Sequence, residues 1–139
     1  MRAARKKADV VVVYLHWGTE ELTCPTANQT SIASTLAKAG ADIVVGSHAH
    51  RVQGGGWKGS TFVEYGLGNF VWYNNSTAGS ATTGVLTLSV VGRHTTKAVW
   101  APLRIGNDGI PRRPAAKTRA SMLKAWRAAR SCTGLSGTP

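Results

Sequence analysis

The hydrophobic pattern changes character part-way along the chain. Near the start two apolar, β-branched runs, Asp9 to Leu15 and Asp42 to Val45, each lead within a few residues to histidine. Continuous apolar runs of this kind predict strands buried on both faces of a parallel sheet. Between them, Asn28 to Lys38 repeats apolar residues at helical spacing, with Ile32, Leu36 and Ala39 on one face and Gly40 as the C-terminal cap. Strand, loop, helix and strand make a βαβ unit. Met1 to Ala8 reads as the last two turns of a helix, cationic as a helix C-terminus prefers.

Beyond Arg51 the pattern becomes antiparallel β. Gly54, Gly55, Gly56 and Gly59 supply turns around Trp57, and Thr61 to Tyr65 and Phe70 to Trp72 read as short strands. Asn74 to Thr83 is polar and reads as a surface loop. Val85 to Val90 alternates, Gly92 and Arg93 turn the chain, and Lys97 to Ile105 returns, broken at Pro102 like an edge strand. After a turn at Gly106 to Gly109, Ala115 to Ser131 is a helix with Met122, Leu123, Trp126 and Ala129 as its packed stripe. Residues 1–131 are expected to form one folded unit and 132–139 a frayed tail. The fold class is α/β: a βαβ unit, antiparallel strands and a C-terminal helix.

A length of 139 residues with 42% hydrophobic content suits one domain with a real core. No apolar run reaches the roughly 18 residues needed to span a bilayer, and no targeting signal is visible. Membrane association is therefore expected only through parts outside this chain.

The net charge is +11, and eight basic residues fall between Arg104 and Arg130. Such charge favours polyanions or forms a solvated basic face. No nucleic-acid-binding motif is present, so no specific nucleic acid is expected. Cys24 and Cys132 are too far apart in sequence for a metal clip. Outside the cytoplasm they could pair; inside it they would remain thiols.

Ligands of open α/β sheets sit beyond the carboxyl ends of the strands, so His16, His48 and His50 are expected to gather at one sheet edge. In an extended segment His48 and His50 point the same way. Three imidazoles so placed predict a site for divalent zinc, manganese or iron. Acids are scarce. Asp9 and Asp42 lie at the wrong strand ends, whereas Glu20 and Glu21 follow His16 and can reach the site or stay as solvated loop acids. His94 reads as a solvated turn residue, and Trp17 as packing.

The stretches LHWGTE (Leu15 to Glu20), AGADIVVGSHAH (Ala39 to His50) and VEYGLGNFVW (Val63 to Trp72) resemble the CapA (PgsA) capsule and poly-γ-glutamate biosynthesis family. That family has a calcineurin-like metallophosphoesterase fold. The resemblance implies the C-terminal part of a four-layer αββα sandwich holding two metal ions. It implies His16 and His48 on one ion, His50 on the other, Glu20 as the catalytic acid, and Tyr65 and Asn69 shaping the substrate wall; Gly66 replaces the usual serine. The family's N-terminal ligand segments are not found in this chain. The missing half of the domain is thus an expected partner, and so is an anionic envelope polymer such as poly-γ-glutamate. Metal-dependent hydrolysis at the cell envelope is the expected function, with a non-catalytic polymer-binding protein as the alternative.

Overall fold

The computed structural model describes residues 1–73 and 76–139, apart from the side chain of Arg2. In chain order its elements are helix α1 (Arg2–Arg5), strand β1 (Val12–Trp17), helix α2 (Ala27–Lys38), and strands β2 (Ile43–His48), β3 (Gly55–Lys58) and β4 (Thr61–Glu64). The long strands β5 (Thr82–Val91) and β6 (His94–Ile105) follow, then β7 (Pro111–Arg112), helix α3 (Ala116–Ala129) and a short 3-10 turn (Arg130–Cys132). The fold is α/β, a partial sandwich of two sheets with a C-terminal helix.

The first sheet has the order β1-β2-β4-β3. Strands β1, β2 and β4 run parallel, and β3 returns antiparallel to β4. The second sheet, β5-β6-β7, is wholly antiparallel. Its two long strands meet in a tight turn at Gly92 and Arg93, with Val91 opposite His94. Trp57 ties the sheets together: its indole N–H donates to the Thr95 carbonyl of β6 at 2.8 Å.

Helix α2 starts at a capping box, in which the Thr26 hydroxyl accepts from Gln29 N–H and the Gln29 side chain accepts from Thr26 N–H. It ends at Gly40, whose φ of +92° is open to glycine without strain, and Ala41 N–H reaches back to the Leu36 carbonyl. The buried face is Gln29 and Ala33, with Leu36 packed alongside. Ile32 is 40% exposed, so the inward stripe is rotated from the expected one. Gln29 is tolerated there because it donates to Gln53, which in turn donates to the carbonyls of Leu22 and Cys24.

Two apolar clusters hold the molecule. Trp17, Ala33, Ala41, Val44, Val63 and Tyr65 lie between α2 and the first sheet. Trp100, Met122 and Trp126 join α3 to β6. Gly46 is required in β2: a β-carbon there would collide with the Trp17 indole nitrogen and the Tyr65 carbonyl, which hydrogen-bond each other at 3.0 Å. At the amino end of β2, Asp42 accepts from Val11 N–H, Arg5 and Arg93. Burial pushes its carboxyl up, but these three donors outweigh that and leave it below the ordinary value.

Several expectations are corrected. Strand β1 begins at Val12 rather than Asp9 and is an edge strand, with Val12 57% and Tyr14 65% exposed on its open face. The first helix is one turn long. Gly55–Lys58 is a strand, not a turn, and Phe70 to Trp72 is not a strand. Strand β6 runs unbroken through Pro102, because Pro102 pairs only with Gly84 of β5 and β7 joins further along, at Arg104. The expected loop from Asn74 to Thr83 lies partly outside the described residues, and β5 already begins at Thr82.

The end of the chain is pinned rather than frayed. Ser136 exchanges two backbone hydrogen bonds with Trp57, at 3.0 and 2.8 Å, and Leu135 packs on the first cluster. A Cys24–Cys132 disulfide joins the end of the 3-10 turn to the loop after β1.

Candidate metal centre

The site lies at the carboxyl ends of β1 and β2, where the register sets His16 opposite Ser47 and Trp17 opposite His48. The His16 and His48 rings are 4.4 Å apart between centroids, and His48 and His50 are 6.1 Å apart. His48 is thus a ring neighbour of both. The convergence of His48 and His50 does not come from an extended backbone. Their φ angles are +92° and +54°, both left-handed, and the intervening Ala49 is buried. The Ala49 carbonyl accepts from Glu21 N–H at 2.8 Å, which draws the Glu20–Glu21 loop onto the same turn. Left-handed non-glycine residues cost of order 1 kcal/mol each, and such strain concentrates at functional sites.

One ligand atom from each of Glu20, His48 and His50 falls within 4.8 Å of the others. Five of the six acids are otherwise accounted for. Asp42 is in the network described, Glu21 pairs with Arg51, Asp108 pairs with Arg112, and Glu64 is buried. Asp9 precedes β1 at the far end of the sheet. Glu20 is the acid that remains beside the histidines.

Asn69 orients His50. Its amide nitrogen donates to the Ser80 carbonyl at 3.1 Å, so its oxygen faces His50 Nδ1 at 2.7 Å. That contact requires a proton on Nδ1 and leaves the Nε2 lone pair for a ligand. Asn69 is itself held by the Thr83 hydroxyl, which donates to its carbonyl. It is 7% exposed, so it supports His50 rather than forming a substrate wall.

Tyr65 is corrected outright. It is 1% exposed, stacked on Trp17 at 5.8 Å, and burial lifts its phenol to about 12. Its side chain is packed in the core. Trp17 packs as expected, and His94 is exposed at the start of β6, distant in sequence from the cluster.

Hydrophobic patterning gives little sign of the wall that does exist. A cavity of about 240 Å³ is lined by Glu20, Glu21, His50, Trp72, Thr77 and Ser80 among others. Trp72 lies against the His50 ring at 4.9 Å. Thr77 and Ser80 exchange hydrogen bonds that close their turn. The Asn-Phe-Val-Trp run was the available signal for Trp72; nothing in sequence connects Thr77 and Ser80 to His50.

The basic residues near the C-terminus are not all outward. Arg112 forks onto Asp108, Arg119 donates to the Pro114 carbonyl, and Arg130 donates to the Gly55 carbonyl while lying over the Trp126 ring at 5.7 Å. Lys117, Lys124 and Arg127 remain exposed on α3.

The family comparison falls in the half of the chain that carries His16, His48 and His50. The family model described as bacterial capsule synthesis protein PGA_cap matches residues 1–74. The PGA biosynthesis protein CapA of Bacillus subtilis (strain 168) is 44% identical over 69 residues, 50% of this chain and 18% of that protein. The capsule biosynthesis protein CapA of Bacillus anthracis is 43% identical over 65 residues, 47% of this chain and 16% of that protein. The matched stretch is thus less than a fifth of either relative's length. With more than half of its residues matched by the family model, this chain belongs to the bacterial capsule synthesis protein (PGA_cap) family.

Proposed function

We propose that this chain is the histidine-bearing portion of a metal-dependent hydrolase domain acting on a cell-envelope polymer such as poly-γ-glutamate. The observation that carries the reading is the convergence of Glu20, His48 and His50 donors within 4.8 Å at the strand exits. Two imidazoles and a carboxylate suit manganese, zinc or iron, and the oriented Nε2 of His50 supports that fit. A bound ion would supply Lewis acidity toward a phosphoryl or carbonyl oxygen. The chain's own residues do the rest. Asn69 fixes the tautomer and direction of His50, and Glu20 adds negative charge beside the imidazoles. Trp72 and Thr77 wall the adjoining cavity, which would receive the reacting group of a substrate.

A second ion is part of the proposal for the complete domain, with His16 next to His48 and further ligands supplied by the rest of that domain. Two features support such a partner. The outer edge of β1 makes no strand pairing among the described residues. An apolar groove of about 430 Å³, lined by Val12, Val45, Phe70, Val85 and Leu88 among others, lies open between the sheets. The Cys24–Cys132 disulfide supports an extracytoplasmic or envelope location. The exposed Lys117, Lys124 and Arg127 favour one other reading, a non-catalytic protein that holds an anionic envelope polymer.

Calorimetric titration with zinc and manganese tests the proposal. The parent chain is expected to bind, and His48→Ala and Glu20→Gln each to weaken binding by at least about tenfold, the loss of a strong ligand. Parent-like binding by either variant would overturn the site. Turnover of a simple phosphodiester by the chain alone is expected to be slight, and co-expression with the remainder of the domain should raise it.

A further inference from the structure

A cavity of about 450 Å³ beside α3 takes no part in the reading above. Its walls include Trp100, Met122, Ala125, Trp126 and Ala128, together with one cationic side chain, Arg51. Ala125 and Ala128 are exposed, so the cavity reaches solvent along that face of the helix. The volume is typical of small-molecule sites, which run from about 300 to 1,000 Å³ and combine apolar walls with a few polar groups.

The charged group in the wall is Arg51, a donor with capacity to spare. Arg51 has a side chain only 13% exposed. Its Nη2 serves Glu21 and Thr77, its Nη1 makes a long contact of 3.4 Å to the His50 carbonyl, and its Nε makes no hydrogen bond among the described residues. Trp100 is 3% exposed and its indole N–H is sealed against Gly84, so the residue offers the cavity its ring and not its donor. A ligand oxygen on Arg51 would give its Nε or Nη1 an acceptor at ordinary hydrogen-bond distance. A cationic ligand would be repelled by Arg51, and a neutral hydrocarbon would bury the guanidinium further without an added acceptor.

We infer that this cavity binds an amphipathic carboxylate, an acyl or aryl acid of small size. Its apolar part lies against Trp100, Met122 and Trp126, and its carboxylate lies on Arg51. Nη2 is taken by Glu21 and Thr77, so the carboxylate accepts from Nε or Nη1, a charge-assisted hydrogen bond stronger than one between neutral groups. The ligand shares Arg51 with Glu21, one residue from the candidate ligand Glu20, but the assignment of the cavity rests on its own walls and not on any metal.

Decanoate is the probe, titrated into the full chain by calorimetry and followed by tryptophan fluorescence, with decanol and acetate as controls. One equivalent of decanoate is expected to bind at least about tenfold more tightly than either control, because both the anion and the apolar chain are read. Ala128→Leu, which fills the cavity from an exposed position, and Arg51→Met are each expected to weaken decanoate about tenfold or more. Unchanged binding in Ala128→Leu would place decanoate on the general basic surface and overturn the site. Equal affinity for decanol, or no saturable binding, would overturn the carboxylate. Should Arg51→Met not fold, the decanoate-to-decanol ratio in the parent and the Ala128→Leu result decide the matter alone.

Discussion

Asn69 and Glu64 show how single polar side chains decide this molecule's chemistry. Asn69 touches no solvent-facing surface of consequence, yet it sets which nitrogen of His50 is free. Asn69→Ala should reduce zinc affinity by roughly 10-fold, as loss of a supporting partner of a ligand does, while the melting curve keeps a single cooperative transition. Unchanged affinity would mean that His50 needs no such support. Glu64, fully buried in β4, accepts from the Trp126 indole at 3.2 Å. Burial pushes its carboxyl well above the ordinary 4.5, and the Trp126, Gly66 and Arg130 groups offset this only in part. The folded state therefore keeps a proton that the unfolded chain releases. Its contribution to stability is fully present below about pH 4.5 and is lost as pH rises through the folded value. Glu64→Gln keeps a neutral acceptor for Trp126, so the parent should lose stability relative to this variant as the solution is made more alkaline. Denaturant melts at a series of pH values check this, and parallel curves would refute it.

Among the elements, α3 and the loop after β1 owe their positions to distant contacts. The stripe of Met122 and Trp126 drives α3 onto Trp100 of β6, and its backbone approaches so closely at Ala129 and Arg130 that only glycine fits at position 54. The disulfide then closes a sequence separation of 108 residues. In the loop-entropy account such a crosslink is worth about 4 to 5 kcal/mol. A Cys24→Ser, Cys132→Ser double variant should lose stability of that order in denaturant titration, and unreduced, denatured parent protein should show no free thiol. Two titratable thiols in protein from an oxidising compartment would contradict the pairing and weaken the case for an envelope location.

Over the whole molecule, a charge of +11 is concentrated by the consumption of acids elsewhere in ion pairs and burial. Arg112, Arg119 and Arg130 serve the fold, which leaves Lys117, Lys124 and Arg127 as the free face of α3. Reversing those three charges should weaken poly-γ-glutamate binding and flatten its salt dependence. If the face recognises the polymer, poly-γ-glutamate should stay bound at salt concentrations that release duplex DNA. Parallel loss of both would leave a solvated basic surface.

The βαβ unit was legible in the sequence because its signals are local: β-branched runs, the helical repeat and Gly40 at the helix end. So were the approach of three histidines to one sheet edge and the extent of α3, since strand direction and helix periodicity decide them. The family could also be read from three motifs in order. Tertiary structure alone decided which of those residues face a site. Tyr65 sits in the same motif as Asn69, yet packing on Trp17 takes it into the core, a contact across 48 positions. The run of valines predicts a burial that β1 lacks, because such a run looks the same at the edge as at the centre of a sheet; neighbours decide that, and β1 has one among the described residues. Thr77 and Ser80 reach the cavity beside His50 only through the fold that brings the start of β5 to the strand exits. No periodicity carries such long-range pairings, since their free energy arises from burial and hydrogen bonds that exist only once the chain has closed on itself.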